Sequence, residues 1–333
     1  MAEQIIIIDN GSQTLKVGYA GDDAPYKILP TIIGKPKNKE LIQMFGGKEY
    51  YIGDSAKAKS GILNLNYPIK HGIITNWDDM ERIWYDAFYN ELRIIPEEDS
   101  FLFTESPLNP KENREKTTEI MFESFDVHSF YLANSAMLAM YQSGKKTGII
   151  VEIGDDFSSV VPIYDGFCLP DSIMKSNLAG REITNYLIQN LNQKGIEFKT
   201  TYEKDMIEDL KKKTCYKLLF KPSLIGIETQ GIHQMICNSL NKISVGIRKE
   251  LYQNIILSGG SSLFPGLTER IQKEVSQLLP LKIKIQIISP PERWLSTWIG
   301  ASILASTSNF AKMWITKEDY QENGPKIVHQ KCF

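Results

Sequence analysis

The sequence lacks any apolar stretch of membrane-spanning length, and no basic segment precedes its first apolar run at residues 5–8. We therefore expect neither insertion into a membrane nor a secretory signal. The net charge of −2 gives no electrostatic reason to expect nucleic acid or an anionic membrane as the main partner. Together these absences favour a cytoplasmic protein.

The sequence contains only four cysteines, and their spacing matches no cysteine motif. The four cysteines form no C-x-x-C motif and show no metal-ligand spacing with the four histidines. We expect single thiols in a reducing compartment and neither a disulfide framework nor a zinc site. These thiols are Cys168, Cys215, Cys237 and Cys332.

The length of the chain predicts more than one core. At 333 residues it exceeds the size at which a single hydrophobic core stops growing, so we expect two lobes. A hydrophobic content of 42% and a charged content of 23% are ordinary for a globular protein.

The first strong local signal is a predicted hairpin at residues 5–20. Four β-branched isoleucines predict a buried strand, a turn of small polar residues begins at Asp9, and residues 15–20 resume as a second strand. Backbone N–H groups in such a turn can converge on an anion. Asp9 is placed to hold a metal through water, and Lys16 could offset phosphate charge. An ordinary hairpin without a ligand is the alternative.

Residues 148–163 repeat this pattern, with a strand, an acidic residue with glycine, a turn and a return strand. Two such hairpins suggest two related lobes with a nucleotide bound between them, although an accidental pair of hairpins stays possible. The remaining pattern predicts a helix over residues 76–93, a helix over 129–143, a strand at 255–257 followed by glycines, and an alternating strand at Ile283, Ile285 and Ile287.

Several long motifs resemble actin, and they extend over essentially the whole chain. They include DNGS with KVGYAGDDAP at 9–25, TNWDDME at 75–81, LAGR at 178–181, LSGG at 257–260 and GPKIVHQKCF at the end. The resemblance implies an α/β, actin/Hsp70/hexokinase-like (duplicated ribonuclease H-like) two-lobe fold with a nucleotide cleft. The first lobe would comprise 1–142 plus 296–333, with a peripheral subdomain at about 31–67. The second would comprise 143–295, with a truncated peripheral subdomain at about 179–227.

The resemblance also implies that ATP or ADP binds with Mg²⁺ or Ca²⁺. Asp9 and Glu152 match positions that hold the cation through water. The nucleotide-binding positions carried over are Asp9, Gly11, Ser12, Lys16, Glu152, Gly154, Asp155, Gly180, Lys211, Gly259, Gly260 and Trp294. Of these, Gly180, Lys211, Gly259 and Gly260 match the adenosine side, and Trp294 stands where a lysine flanks adenine in actin.

Some matched positions differ from the family pattern. Gln13 and Asp156 replace glycines in the two phosphate loops, and Glu152 replaces an aspartate. A carboxylate about 4 Å from a phosphate charge is unfavourable by roughly 1 kcal/mol in water and about 4 kcal/mol at an effective dielectric constant near 20. A partial rotation of Asp156 into solvent could relieve much of this repulsion.

The two positions that place the attacking water in actin are serines here. Ser135 and Ser159 stand where the resemblance expects glutamine and histidine, so these catalytic positions are degenerate. Because serine is too short to reach the same water, we expect slow or absent ATP hydrolysis.

The expected role is that of an actin-like cytoskeletal protein, a filament subunit or filament-associated. Its partners would be actin-like subunits or actin-binding proteins. An apolar loop at residues 38–47 would then contact a neighbouring subunit. The chain passes almost directly from residues 214–220 to 221–226, where actin has further residues of its upper subdomain. This shortening favours an alternative, a non-polymerising actin-related subunit or end-cap of a larger complex. A phosphotransferase of the same fold is a weaker third reading, because no separate sugar-site carboxylate is apparent.

Overall fold

The computed structural model describes residues 4–44, 46–196, 207, 210–211, 216–280 and 283–332. The chain divides into two units, each with its own core. Unit 1 comprises Met1–Ser135 and Ala301–Phe333, and unit 2 comprises Ala136–Gly300.

Unit 1 contains a six-stranded sheet that begins with the predicted N-terminal hairpin. Strands β1 and β2 are antiparallel, and β1 also pairs in parallel with β9, which pairs in parallel with β10. Ile6, Ile7 and Ile8 have no exposed surface, because β1 lies inside the sheet. The strand order is β17-β10-β9-β1-β2-β3, with β1 at Ile5–Asn10, β2 at Thr14–Tyr19, β3 at Lys27–Pro30, β9 at Ser100–Glu105, β10 at Ser129–Asn134 and β17 at Ile315–Thr316.

A small sheet lies beside this core in the same unit. Its apolar cluster consists of Ile32, Tyr51, Ala56 and Leu63. The order is β5-β4-β6, with β4 at Ile33–Pro36, β5 at Tyr51–Ile52 and β6 at Leu63–Asn66, and a separate hairpin joins β7 at Ile69–Lys70 to β8 at Ile73–Ile74.

The helices of unit 1 include the predicted one at residues 76–93. Asn76 caps it by accepting a hydrogen bond from Asp79 N, and its last part, Asp86–Leu92, is a π-helix that ends at Arg93 in the left-handed region. The helices are α1 at Lys39–Met44, α2 at Gly53–Ala58, α3 at Trp77–Tyr85, α4 at Lys111–Glu123 and, near the C-terminus, Lys317–Asn323 and Val328–Lys331. Helix α5, at Ser135–Gln142, begins at the last residue of the first segment of unit 1 and lies otherwise in unit 2.

Unit 2 contains a second sheet around the predicted second hairpin. Strands β11 and β12 are antiparallel, and β11 pairs in parallel with β15. The order is β13-β12-β11-β15-β16 with β14 also on β12, where β11 is Gly148–Ile153, β12 Ser158–Tyr164, β13 Phe167–Cys168, β14 Met174–Ser176, β15 Ile255–Ser258 and β16 Ile287–Ile288.

Apolar residues on both faces of this sheet are buried against helices. One face packs Ile149 and Val151 with Ile236 and Leu240, and the other packs Ile150 with Ala136 and Ala139. The helices are α6 at Gly180–Gln193, α7 at Ile232–Asn241, α8 at Val245–Tyr252, α9 at Leu267–Leu278 and α10 at Ser296–Ala305, the last of which continues into unit 1.

Three sequence predictions of local structure were wrong in part. Residues 129–134 form strand β10, so the helix begins only at Ser135. The alternating isoleucines near 283–287 yield only the two-residue β16. The expected loop at 38–47 contains α1, and Phe45 lies outside the described residues.

Candidate functional site

The first hairpin places Asp9 and Lys16 opposite each other on neighbouring strands of unit 1. Lys16 Nζ donates to Asp9 Oδ2 at 2.7 Å, and both residues are buried. Thr104, at the end of β9, donates its hydroxyl to Asp9 Oδ1 at 2.8 Å. Asp9 is therefore held by two side chains of its own unit, with its charge balanced by a lysine.

The turn between these strands requires glycine at position 11. A Cβ there would lie 2.5 Å from Thr14 O, so the backbone turn itself excludes a side chain. Thr31 fixes the turn by donating its hydroxyl to Gly11 O at 2.8 Å. Ser12 is buried, whereas Gln13 is exposed. The exposure of Gln13 shows that its side chain is accommodated at the surface of the turn.

The second hairpin repeats this arrangement in unit 2. Glu152 lies near the end of β11, and Gly154 N donates to Phe157 O at 3.0 Å to close the turn. Gly180, the first residue of α6, donates its N–H to Gly154 O at 3.1 Å. A Cβ on Gly180 would lie 2.4 Å from Ser261 Oγ and 3.2 Å from Gly154 O, so a side chain there would separate the helix from the turn.

Arg181 binds both aspartates that follow this turn. Its guanidinium lies 2.7 Å from Asp155 Oδ2 and 3.2 Å from Asp156 Oδ1. Asp156 is only 4% exposed. The Asp156 carboxylate is therefore not turned into solvent but buried against the Arg181 guanidinium. Arg181 offsets the negative charge that Asp156 adds to the loop.

Three side chains form a row across neighbouring strands of unit 2. Glu152 on β11 is the register partner of Ser159 on β12, which is the register partner of Lys175 on β14. Burial lowers the pKa of Lys175, and attraction by the Glu152 carboxylate raises it in part. The Lys175 ammonium also lies 4.8 Å from the centre of the Phe157 ring. Ser159 is fully buried, and its hydroxyl has no hydrogen-bond partner among the described residues.

The positions assigned to adenosine differ in what they contact. Lys211 is buried, and its ammonium lies 3.4 Å from Gly180 O. Gly259 has φ +88°, and a Cβ there would lie 2.5 Å from Ile153 O, so packing against β11 already demands glycine. Gly260 faces open space, and Trp294 is 38% exposed. Gly260 and Trp294 are thus the positions of this set that leave room for a ligand.

The two serines at the expected hydrolytic positions are both buried. Ser135 is 6% exposed at the start of α5, and Ser159 has no exposed surface. Neither side chain carries a basic nitrogen or a long amide that could orient a water molecule at a distance.

Three residues with a clear part in these contacts were not among the predicted site residues: Thr104, Lys175 and Arg181. Arg181 belongs to the LAGR motif, so that motif was its sequence signal. Thr104 and Lys175 have no local signal, because strand pairing brings their neighbours to them, β1 to β9 for Thr104 and β12 to β14 for Lys175.

The residues fit a cation held through water and phosphate better than one held in a protein cage. No cluster of three or more His, Cys, Asp or Glu among the described residues could hold a metal ion. Mg²⁺ usually keeps several waters and takes one or two carboxylates with substrate phosphates. Asp9, which accepts hydrogen bonds from Lys16 and Thr104, and Glu152 are the carboxylates that the resemblance assigns to this role.

The two sheets share one topology. In each, a hairpin (β1–β2 or β11–β12) is extended by an antiparallel strand on one side and by two successive parallel strands on the other. Each hairpin has an acidic residue near the end of its first strand and a glycine in its turn. This duplication defines the class as the two-lobe α/β fold of the actin/Hsp70/hexokinase type.

The family model for actin matches residues 2–217 and 211–333. The chain belongs to the actin family. The two matched segments meet at residues 211–217, close to the place where the sequence resemblance puts the missing residues. No helix in the described ranges is long and apolar enough to span a membrane.

Proposed function

We propose that this actin-like protein binds ATP or ADP with a divalent cation, hydrolyses ATP slowly or not at all, and serves as a filament subunit or filament-associated protein. The observation that supports nucleotide binding most is the pair of hairpins with the same topology, each with an acidic side chain beside a glycine turn. In unit 1, Lys16 and Asp9 supply one cationic and one anionic group for phosphate and cation. In unit 2, the turn is joined to the first residues of α6, where Gly180 permits close approach.

Thermal unfolding with and without nucleotide tests the proposal. A ligand that binds the native state at about 100 times its Kd stabilises it by about 2.7 kcal/mol, which corresponds to several degrees in Tm. We expect such a shift with millimolar ATP and Mg²⁺ or Ca²⁺. Trp294→Ala should reduce it, because Trp294 is partly exposed and matches a position beside adenine. Lys249→Met, an exposed change on α8, is the matched control. The absence of a shift at millimolar ATP would refute nucleotide binding.

A second candidate function is a non-polymerising subunit or end-cap of a larger complex. The shortening beside residues 211–217 favours this second function. It removes part of the upper subdomain of the second lobe, which actin uses for contacts along the filament. Sedimentation in Mg²⁺, salt and ATP separates the two candidates. Pelleting above a threshold concentration supports a filament subunit, whereas a monomer at high concentration that co-purifies at fixed stoichiometry supports the second candidate.

A further inference from the structure

Every acidic side chain of the unit 2 turn has a cationic neighbour from the chain itself. Asp155 and Asp156 contact Arg181, and Glu152 attracts the Lys175 ammonium. These side chains already neutralise carboxylates at a turn that the resemblance expects to lie beside a bound divalent cation. Lys175 therefore changes the charge that a cation meets at Glu152.

Ser159 makes the approach of Lys175 to Glu152 possible. Directly opposed residues on neighbouring strands have Cβ atoms about 5 Å apart, so Glu152 and Lys175 are separated by about 10 Å at Cβ. The long side chains of Glu152 and Lys175 can span that distance only if the residue between them, on β12, is small. Serine is small enough, whereas a large side chain at 159 would stand between the two charges.

The Ser159 hydroxyl is a second, independent sign that a polar group belongs in this row. It is fully buried, and it has no hydrogen-bond partner in the part of the chain that the structure describes. Buried hydroxyls are normally hydrogen-bonded, so an unpartnered one marks a place for a water or an ammonium group. The row therefore joins a carboxylate, an available hydroxyl and an ammonium.

We propose that Lys175 is a built-in counter-cation for Glu152, which makes nucleotide binding by this chain less dependent on a divalent cation. The inference rests on the proposed nucleotide site. A divalent cation bound through water at Glu152 must compete with the ammonium already attracted there, so it adds less to nucleotide affinity. Without a divalent cation, Lys175 still neutralises the carboxylate, and Glu152 does not repel the phosphates.

The test measures the Kd for ADP by calorimetry in Mg²⁺ and in EDTA, and takes the EDTA-to-Mg²⁺ ratio for each variant. Lys175→Met should raise this ratio by about tenfold over wild type, because Glu152 then repels phosphate unless a cation is present. Glu152→Gln should lower the ratio. The double variant Glu152→Gln/Lys175→Met should bring it within about threefold of wild type, since both charges are gone.

Lys249→Met is the matched control and should leave the ratio unchanged. Circular dichroism shows whether each variant is folded, and if Lys175→Met does not fold, Lys175→Gln, which also removes the charge, takes its place. If Lys175→Met lowers the affinity for ADP equally in both buffers, Lys175 is a direct phosphate ligand and the proposal is overturned. An unchanged ratio in this variant also overturns it. If wild type binds ADP in neither buffer, the proposed function itself has failed, which is a different result.

Discussion

At the scale of single residues, charge balance separates the sequence expectation from the structure. Asp156 stands where the family pattern has glycine, and an isolated carboxylate there would repel phosphate by a few kcal/mol at an intermediate dielectric constant. Arg181, 3.2 Å away, offsets that charge within unit 2. The substitution is thus compatible with an anion nearby, which the sequence alone did not reveal.

The thiol of Cys332 should react slowly with thiol reagents in the native protein. Cys332 is 2% exposed, and its sulfur accepts a hydrogen bond from Leu132 N at 3.3 Å. Burial raises its pKa to about 12. At pH 8 about one Cys332 side chain in ten thousand would be thiolate, which is the reactive form.

In a Cys215→Ser background we expect Cys332 to react with a thiol reagent at least about tenfold more slowly than Cys168, whose pKa is raised to about 11. Mass spectrometry of the labelled peptides measures both rates, and equal labelling in denaturant is the control. Rapid labelling of native Cys332 would contradict its burial.

Glu105 gives a prediction of pH dependence. Burial raises its pKa above the ordinary 4.5, although Arg114, which donates to its carboxylate at 2.9 Å, and Asn109 lower it in part. A raised pKa means that the native state holds the proton more tightly than the unfolded state does. Its contribution to stability is therefore full below pH 4.5 and is lost as the pH rises through the native-state value.

Glu105→Gln removes this titration. We expect the free energy of unfolding of wild type, relative to that variant, to fall between pH 4.5 and pH 7. Urea unfolding at several pH values measures the difference, with the exposed Glu250→Gln as control. A difference that increases with pH would show that the Arg114 ion pair outweighs desolvation.

At the scale of elements, local patterns predicted the two hairpins but not every strand. Both hairpins depend on β-branched residues and a polar turn within about 16 residues, so the signal is local. Strand β10 lies between β9 and β17 with Ser129–Ala133 all buried, so it lacks the alternation that distinguishes a strand from a buried helix. Arg181 reaches Asp155 across 26 positions, a contact that only the folded chain creates.

The small sheet of unit 1 is joined to α3 through one buried carboxylate. Asp79, whose side chain is 1% exposed, accepts from Asn66 Nδ2 at 2.6 Å and Asn76 Nδ2 at 3.0 Å, and it lies 2.8 Å from Lys35 Nζ. Lys35 belongs to β4 and Asn66 to β6. Asp79 therefore holds two strands of the small sheet to the start of a helix.

Asp79→Ala should lower the free energy of unfolding by about 2–4 kcal/mol, because the two amide donors lose their buried acceptor. Hydrogen exchange should show that amide protection is lost first in β4 and β6. Lys35→Met is the matched control, and it should cost under about 1 kcal/mol because the lysine side chain is 48% exposed. A uniform loss of protection across unit 1 would contradict a local role for Asp79.

At the scale of the whole molecule, the duplicated topology and the family match agree on the fold, while the slow ATP hydrolysis that we propose rests on two side chains. Ser135 and Ser159 are buried and short, and hydrolysis requires a water held in line with the terminal phosphate. Loss of such a positioning group typically lowers the rate by about 100-fold or more. The fold can thus be retained while ATP hydrolysis is nearly lost.

We therefore expect ATP bound by the wild-type chain to remain ATP. The protein is loaded with ATP and Mg²⁺, freed of unbound nucleotide, incubated for an hour and denatured, and the released nucleotide is separated by chromatography.

Ser135→Gln should increase phosphate release by about tenfold, because the longer glutamine amide can orient the attacking water. Ser143→Gln, one residue past the other end of α5, is the control for adding a glutamine. Ser159 is left unchanged, since a large residue in its fully buried place would overpack the sheet face. Recovery of ADP from wild type within minutes would show that this chain positions its water by residues other than those two.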